Sequence, residues 1–184
     1  MDLVTAFREL IHEDYRLAQA SGNWVVLEPG ALTQNPEVRI AAGPSLGFTL
    51  DRAGKNPLAF IKENTSLTGM RSFCDAVVVC NTESEPVVVL LEMKSKNDGK
   101  AEQQILRSKK LVEWIVGLLA LNGHCRAAPR FIAVISKGTR TQERKGTSVR
   151  RAELPTPRKL DGMPCWTVMN RRVLHVADFL KAFA

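Results

Sequence analysis

Residues 73–94 read FCDAVVVCNTESEPVVVLLEMK and carry the strongest structural signal in the chain. Two runs rich in β-branched and other apolar residues, 73–80 and 87–93, flank a polar turn at residues 81–86. Residues of this kind favour strands, and a short polar connection between two strands favours antiparallel pairing. We therefore predict a hairpin of two buried strands.

The segments that follow this hairpin predict a mixed α/β fold. Residues 101–122 have helical composition and periodicity, and the Asn122-Gly123 pair is typical of a helix end. Residues 131–136 predict another buried strand, so residues 87–136 form a strand–helix–strand crossover. Such a crossover places its two strands parallel in one sheet. The fold class that follows is α/β, with a central mixed β-sheet flanked by helices.

The segments before and after this central region show weaker patterns, which predict helices and strands only approximately. Residues 3–20 carry apolar side chains at spacings of three, four and seven, which predicts one long helix that the cluster at residues 21–23 ends. Short strand-like pieces cover residues 24–27, 38–41 and 48–50. After a polar stretch over residues 137–159, the pattern predicts a strand at 165–169 and a last helix at about 176–183.

The composition limits the classes of protein to consider. A chain of 184 residues fits a single domain over residues 1–184, and 45% apolar with 24% charged residues excludes disordered and collagenous chains. The apolar runs are too short for a membrane span, so no membrane partner is expected. Four cysteines without paired spacing favour a reducing, cytoplasmic location. Lys plus Arg outnumber Asp plus Glu by 26 to 19, which makes nucleic acid the first partner to consider.

Three charged residues stand within the two apolar strands or at their ends. Asp75 lies in the middle of the first predicted strand, and Glu92 and Lys94 end the second. A buried carboxylate is costly unless it is paired or bound to a cation. Side chains two apart on a strand share a face, so Glu92 and Lys94 can converge with Asp75 from the neighbouring strand.

The chemistry of these residue types points to a metal site. Two carboxylates form the smallest protein ligand set that Mg²⁺ commonly uses, with waters and phosphate oxygens as the remaining ligands. A metal there can lower the pKa of a bound water, and a nearby lysine can orient that water or neutralise phosphate charge. The pattern therefore predicts phosphodiester hydrolysis.

The same residues resemble the PD-(D/E)xK nuclease superfamily, which includes restriction enzymes, repair nucleases and phage-defence effectors. The resemblance covers about residues 3–136. It implies a restriction endonuclease-like αβββαβ core and a metal-dependent deoxyribonuclease, an endonuclease rather than an exonuclease. Such enzymes often use a homodimer or a partner protein to cut both strands.

The resemblance also implies roles for individual residues. Asp75 corresponds to the motif aspartate, Glu92 to the second metal ligand and Lys94 to the motif lysine. The main-chain carbonyl of Met93 would complete the protein ligands of Mg²⁺, for which Mn²⁺ can substitute. Cys74 stands where the family motif has proline.

Two further positions follow from the resemblance. Many branches of the superfamily have a catalytic glutamine in the helix after the lysine strand, and we assign this role to Gln103, with Gln104 as the alternative. A glutamate on the first helix often assists metal binding, for which Glu13 and then Glu9 are the candidates.

The stretch over residues 137–159 contains eight basic and two acidic side chains. This excess favours a loop that grips the phosphate backbone, and the alternative is a solvated loop. Arg171 and Arg172 extend the same basic patch. The residues assigned to nucleic-acid binding are Lys137, Arg140, Arg144, Lys145, Arg150 and Arg151.

Other functions stay open on the sequence alone. One alternative is a catalytically inactive nucleic-acid-binding or assembly subunit on the same fold, and another is an RNA nuclease. A structural ion-pair cluster would also explain the three charges. The three histidines are too widely separated for a zinc motif, and the signature loops of serine hydrolases, NTPases and dinucleotide enzymes are absent from the sequence.

Overall fold

The structure is a computed structural model that describes residues 1–27, 37–62, 69–94, 99–125, 128–138 and 154–182. Three α-helices and ten strands lie in this part of the chain. The helices are α1 (Leu3–Leu10), α2 (Ala101–Leu121) and α3 (Val176–Lys181). The strands are β1 (Ala18–Ala20), β2 (Asn23–Leu27), β3 (Glu37–Ala41), β4 (Ser45–Phe48), β5 (Ala76–Asn81), β6 (Pro86–Lys94), β7 (Arg130–Lys137), β8 (Arg158–Leu160), β9 (Met163–Met169) and β10 (Val173–His175).

A six-stranded mixed sheet forms the centre of the fold, in the order β4-β5-β6-β7-β9-β8. The predicted hairpin is confirmed, because β5 and β6 pair antiparallel from Asn81 opposite Pro86 to Ala76 opposite Leu91. The predicted crossover is also confirmed, because α2 connects β6 to β7 and these two strands pair parallel. The strands β6, β7 and β9 all run in the same direction, so their carboxyl ends meet at one edge of the sheet.

A second sheet of four strands has the order β1-β2-β3-β10. Strands β2 and β3 alternate between buried and less buried residues, as in a sheet with one face on the core. Trp24 on β2 joins it to the central sheet by donating from Nε1 to Ser45 Oγ at 2.8 Å. Gly47 is required at this contact, since a Cβ there would lie 2.6 Å from the Trp24 ring.

The first helix is shorter than the sequence pattern predicts, and the prediction of a helix to residue 20 is wrong. After Leu10 the backbone becomes extended at Ile11, a short 3-10 helix follows at Glu13–Tyr15, and β1 begins at Ala18. Arg16 ends α1 by donating to the main-chain carbonyls of Arg8 and Ile11 at 2.6 and 3.1 Å. These carbonyls would otherwise lack partners at the helix end.

The cluster at residues 21–23 therefore serves a hairpin and not a helix end. Ser21 and Gly22 have φ of 51° and 76°, the conformation that a two-residue turn between twisted strands requires. The turn connects β1 to β2.

Several other boundaries differ from the predicted ones. The strand predicted at residues 48–50 lies at Ser45–Phe48, and the strand predicted at 165–169 begins two residues earlier, at Met163. Strand β8 begins at Arg158, within the segment predicted to be a polar stretch, and ends at Leu160, one residue after it. The last helix ends at Lys181, and residue 183 lies outside the described residues.

The mixed α/β class is confirmed by these sheets and helices. The core lies between the central sheet and its helices: the Phe7 ring of α1 stacks on Phe48 with centroids 5.9 Å apart, and Phe179 of α3 packs edge-on against Trp166 at 5.1 Å. Among the described helices, none has the length and apolar composition that crossing a bilayer requires.

Candidate active site

The carboxylate of Asp75 lies where the pairing of β5 and β6 ends. The first paired residue of β5 is Ala76, opposite Leu91, so Asp75 precedes the strand. The prediction that Asp75 stands in the middle of a strand is wrong. Its side chain extends the contact instead, because the Met93 N–H donates to Asp75 Oδ2 at 2.6 Å. A side-chain oxygen thus accepts the bond that a main-chain carbonyl would accept in a longer ladder.

Glu92 is the one charged side chain that is buried in the part of the chain that the structure describes. Its side chain is only 1% exposed, although it is a carboxylate near the end of β6. Oε1 forms an ion pair with Lys94 Nζ. Oε2 is buried and has no hydrogen-bond partner in the part of the chain that the structure describes. A buried oxygen of this kind costs free energy unless something binds it.

Burial raises the pKa of Glu92 from its ordinary 4.5 to about 8. The negative charge of Asp75 contributes to this increase, whereas Lys94 opposes it through its hydrogen bond and its charge. The two carboxylates are therefore close enough to repel each other. Bringing such a pair together favours either a proton or a cation between them.

Lys94 connects the carboxylates to helix α2. Its side chain is 22% exposed, and Nζ donates to Gln104 Oε1 at 3.0 Å. Gln104 is itself buried and donates from Nε2 to Phe73 O at 3.0 Å. The ammonium group therefore has one carboxylate partner and one amide partner, and it keeps some contact with solvent.

The structure brings Gln104, and not Gln103, to Lys94. Gln103 is exposed, and its Oε1 accepts from Arg107 Nη2 at 3.3 Å. Of the two glutamines that the sequence analysis considered, the structure therefore places the alternative, Gln104, beside Lys94 and leaves Gln103 outside the site. The helical period contains this information, because Gln104 lies three residues after Ala101 and eight before Val112, which are buried on the same side of α2.

Ser108 is a residue of this region that the sequence analysis missed. It is fully buried on α2, where its hydroxyl donates to Gln104 O at 3.0 Å and accepts from the Cys74 N–H at 2.9 Å. A single small polar residue within a helix gives no signal in the sequence that would identify it.

Cys74, which precedes Asp75, is also fully buried. Its Sγ donates to Ala76 O at 3.3 Å, and desolvation raises the pKa of the thiol far above its ordinary value. The raised pKa disfavours the thiolate, which is the form of cysteine that attacks electrophiles and binds metals. Its role is to pack the segment before β5.

Basic residues collect at the edge of the sheet that carries Lys94. Lys94 is paired in register with Lys137 at the end of β7, and Gly138 N donates to Lys94 O at 3.2 Å. Arg171 and Arg172 follow the end of β9, the next strand along this edge. Five of the assigned nucleic-acid-binding residues lie outside the described residues: Arg140, Arg144, Lys145, Arg150 and Arg151.

The glutamate candidates of the first helix do not join the site. Glu13 lies beyond the end of α1, its side chain is 86% exposed, and its ion pair is with Arg16 at 3.9 Å. Glu9 is exposed on α1. Within the described ranges, His, Cys, Asp and Glu side chains nowhere form a group of three or more that could hold a metal ion.

The donor atoms of the site nevertheless suit a hard divalent cation. Such ions bind carboxylate and carbonyl oxygens, and Mg²⁺ is commonly held by one or two carboxylates. Glu92 Oε2 is a buried oxygen without a partner among the described residues, and Asp75 raises the pKa of Glu92. The Met93 peptide lies next to Asp75, to which its N–H donates, so its carbonyl stays a predicted ligand. These residues fit Mg²⁺ or Mn²⁺.

Comparisons with family models, with curated proteins and with solved structures give no match to this chain.

Proposed function

We propose that this protein is a divalent-metal-dependent nuclease that hydrolyses phosphodiester bonds in DNA, with Asp75 and Glu92 as its metal ligands. The observation that carries the proposal is the buried Oε2 of Glu92, which has no hydrogen-bond partner among the described residues. A structural ion-pair cluster explains the Lys94 contact of this carboxylate but leaves its second oxygen unsatisfied. A bound cation would satisfy it.

The order of elements supports the restriction endonuclease-like fold. Helix α1 is followed, after the second sheet's strands β1–β3, by the antiparallel strands β4, β5 and β6. Helix α2 then leads to β7, which is parallel to β6. This succession agrees with the αβββαβ core that the sequence resemblance implies, and it has the candidate residues on β6, before β5 and on α2.

Each residue of the site has a proposed role. When bound, the metal would activate a water and stabilise negative charge on the phosphate. Asp75 and Glu92 bind it, and Glu92 releases its proton in doing so, because its pKa is about 8 without metal. Lys94, which is partly exposed, positions the attacking water or neutralises phosphate charge. Gln104 holds the Lys94 ammonium group in place.

The charge distribution supports a polyanionic substrate. The chain carries a formal net charge of +7, and Lys94 and Lys137 end neighbouring strands at one edge of the sheet. Arg171 and Arg172 follow the third parallel strand at this edge. Positive residues beside a metal site would bind the phosphate backbone without reading its sequence. The choice of DNA over RNA rests on the superfamily resemblance.

The proposal is tested with Asp75→Asn, compared with wild type. Asparagine keeps the size of the side chain and an oxygen that can accept from the Met93 N–H, so the variant is expected to fold. Removing the charge should abolish cleavage of plasmid and linear DNA and weaken Mn²⁺ binding at least about tenfold. Asp51→Asn, which changes an exposed aspartate, is the matched control and should behave like wild type.

Three outcomes decide between the alternatives. Full cleavage by Asp75→Asn would show that the site is assigned wrongly. A folded wild-type protein that binds DNA but no metal would favour an inactive nucleic-acid-binding or assembly subunit. Preferential cleavage of a matched RNA would identify an RNA nuclease.

A further inference from the structure

Three side chains of α2 bind three consecutive residues of the segment that leads to Asp75. Arg107 Nη1 donates to Ser72 O at 3.5 Å, Gln104 Nε2 donates to Phe73 O at 3.0 Å, and Ser108 Oγ accepts from Cys74 N at 2.9 Å. These are main-chain contacts, so they fix the path of the backbone whatever side chains it carries.

This segment lacks the support of a strand. The ladder between β5 and β6 begins only at Ala76, so residues 72–75 lie outside it. The position of Asp75 therefore depends on the pairing that follows it and on the α2 contacts that precede it. A carboxylate that must meet a metal has to be held within about 0.5 Å of its productive position.

Ser108 is the contact nearest to Asp75 in sequence. Its side chain is fully buried, and its hydroxyl uses both its donor and an acceptor site, bonding to Gln104 O and to Cys74 N. The residue after Cys74 is Asp75, whose Oδ2 accepts from the Met93 N–H. A single peptide unit thus separates the serine contact from the candidate metal ligand.

We infer that Ser108 is a positioning residue for Asp75: by holding the Cys74 main chain on α2, it aims the carboxylate at Met93 and at the side of Glu92. The inference rests on the proposed function for what Asp75 binds, and on geometry alone for where Asp75 lies. It is independent of catalysis by Ser108, since its hydroxyl is buried against main-chain atoms.

The test compares Ser108→Ala with Ser45→Ala. Both changes remove a buried serine hydroxyl that accepts one hydrogen bond, from Cys74 N in the first case and from Trp24 Nε1 in the second. The Ser45 contact joins the two sheets and does not involve α2. Both variants therefore lose a buried serine acceptor, and they differ in the connection to Asp75. If Ser108→Ala does not fold, Ser108→Cys retains a weak donor and acceptor and should change the same signals less.

The first readout needs neither metal nor activity. The amide proton shift and hydrogen exchange of Met93, measured by NMR in metal-free protein, report its bond to Asp75 Oδ2. We expect Ser108→Ala to move this shift and speed the exchange about tenfold relative to Ser45→Ala at matched stability. The second readout is Mn²⁺ affinity by calorimetry, which should fall about tenfold in Ser108→Ala only.

The outcomes separate this inference from the proposed function. A Met93 amide in Ser108→Ala with the shift and exchange rate of Ser45→Ala would overturn the inference. Equal Mn²⁺ affinity in the two variants would also overturn it. If wild type binds no Mn²⁺, the proposed function fails, and the Met93 amide still decides whether Ser108 positions Asp75.

Discussion

Lys94 Nζ donates to Gln104 Oε1 at 3.0 Å, and through this bond the last residue of β6 is fixed to the first turns of α2. The amide group of Gln104 also donates to Phe73 O, two residues before Asp75. One glutamine thus connects the candidate lysine with the segment that carries a candidate metal ligand. The crossover of β6, α2 and β7 makes this possible, because it returns α2 across the end of the hairpin.

The two adjacent glutamines give a direct test of this connection. Gln104→Ala removes the partner of Lys94 and leaves Phe73 O without a donor, so it should lower stability by roughly 1–3 kcal/mol and cleavage by about tenfold or more. Gln103→Ala changes an exposed side chain, so its stability and its cleavage rate should both stay within experimental error of wild type. Cleavage rates and urea unfolding measure the two effects. Equal losses in the two variants would contradict the assignment.

Lys94→Ala separates the role of the lysine from that of the metal ligands. The rate should fall on the order of 10²-fold or more, since the ammonium acts on the water or on the phosphate charge. Lys94 is not assigned as a metal ligand, so Mn²⁺ affinity should stay near that of wild type while the rate falls. Lys94→Arg should not restore the rate, because a planar guanidinium differs in shape from an ammonium.

The control for this variant is Lys110→Ala, which removes an exposed lysine from α2. It should cut DNA like wild type. A rate for Lys94→Ala within threefold of wild type would exclude a catalytic role for this lysine, whatever its effect on metal binding.

The stability of the metal-free protein should depend on pH through Glu92. Its pKa is raised from 4.5 to about 8 on folding, chiefly by burial, so the folded chain binds this proton more tightly than the unfolded chain. The contribution of Glu92 to stability is therefore full below pH 4.5 and is lost as the pH rises through 8. The side chain in Glu92→Gln stays neutral at every pH. The free energy of unfolding of this variant should therefore exceed that of wild type by on the order of 1–3 kcal/mol between about pH 5 and pH 8.

Urea unfolding in EDTA at a series of pH values measures this difference. Glu83→Gln is the matched control, since Glu83 is an exposed glutamate in the turn between β5 and β6. For this control, the plot of unfolding free energy against pH should run parallel to that of wild type. A Glu92→Gln curve that is also parallel to wild type would show that Glu92 is already ionised without metal.

The excess of basic residues over residues 137–159 predicts that this stretch binds the DNA backbone without reading its sequence. Reversing four of its residues to Glu should weaken binding to all DNA sequences alike and raise the substrate concentration needed for cleavage. The log–log salt dependence of binding should flatten by roughly one unit for each phosphate group that the variant no longer binds. The residues to change are Arg144, Lys145, Arg150 and Arg151.

Metal affinity should be unchanged in this quadruple variant, because the metal site is assigned to other residues. Unaltered DNA binding with an unaltered salt slope would mean that the stretch does not hold the substrate. Arg171 and Arg172 would then be the next positions to test.

The central hairpin and the crossover were predictable because their signals are local. Two runs of β-branched residues around a polar turn specify strands and their pairing, and a helix between buried strands specifies a parallel partner. Because Asp75 belongs to the first predicted strand and Glu92 and Lys94 end the second, the hairpin also predicted that these three residues lie near one another. The pattern did not fix the start of β5, since Phe73 and Cys74 are apolar and buried without being in the strand.

Other parts of the fold depend on contacts that the pattern does not contain. The sequence pattern predicted a helix past Leu10 because Leu17 and Ala18 fit the helical spacing. In the structure, Arg16 instead caps the end of α1 by donating to main-chain carbonyls. The second sheet needs the pairing of β10 with β3, which are far apart in sequence. The hydroxyl of Ser108 acts on a main-chain N–H, and sequence patterns carry no information about such a bond.

The pairing of β10 with β3 has a consequence for biosynthesis. Val173–His175 leave the ribosome after every strand of the central sheet, yet they pair parallel with Arg39, Ile40 and Ala41, which are made much earlier. Until then, one edge of β3 exposes unpaired main-chain groups, which are a template for pairing with other nascent chains. The smaller sheet is therefore completed after the strands of the larger one have been made, and chains that stall before residue 173 should depend on chaperones to keep that edge covered.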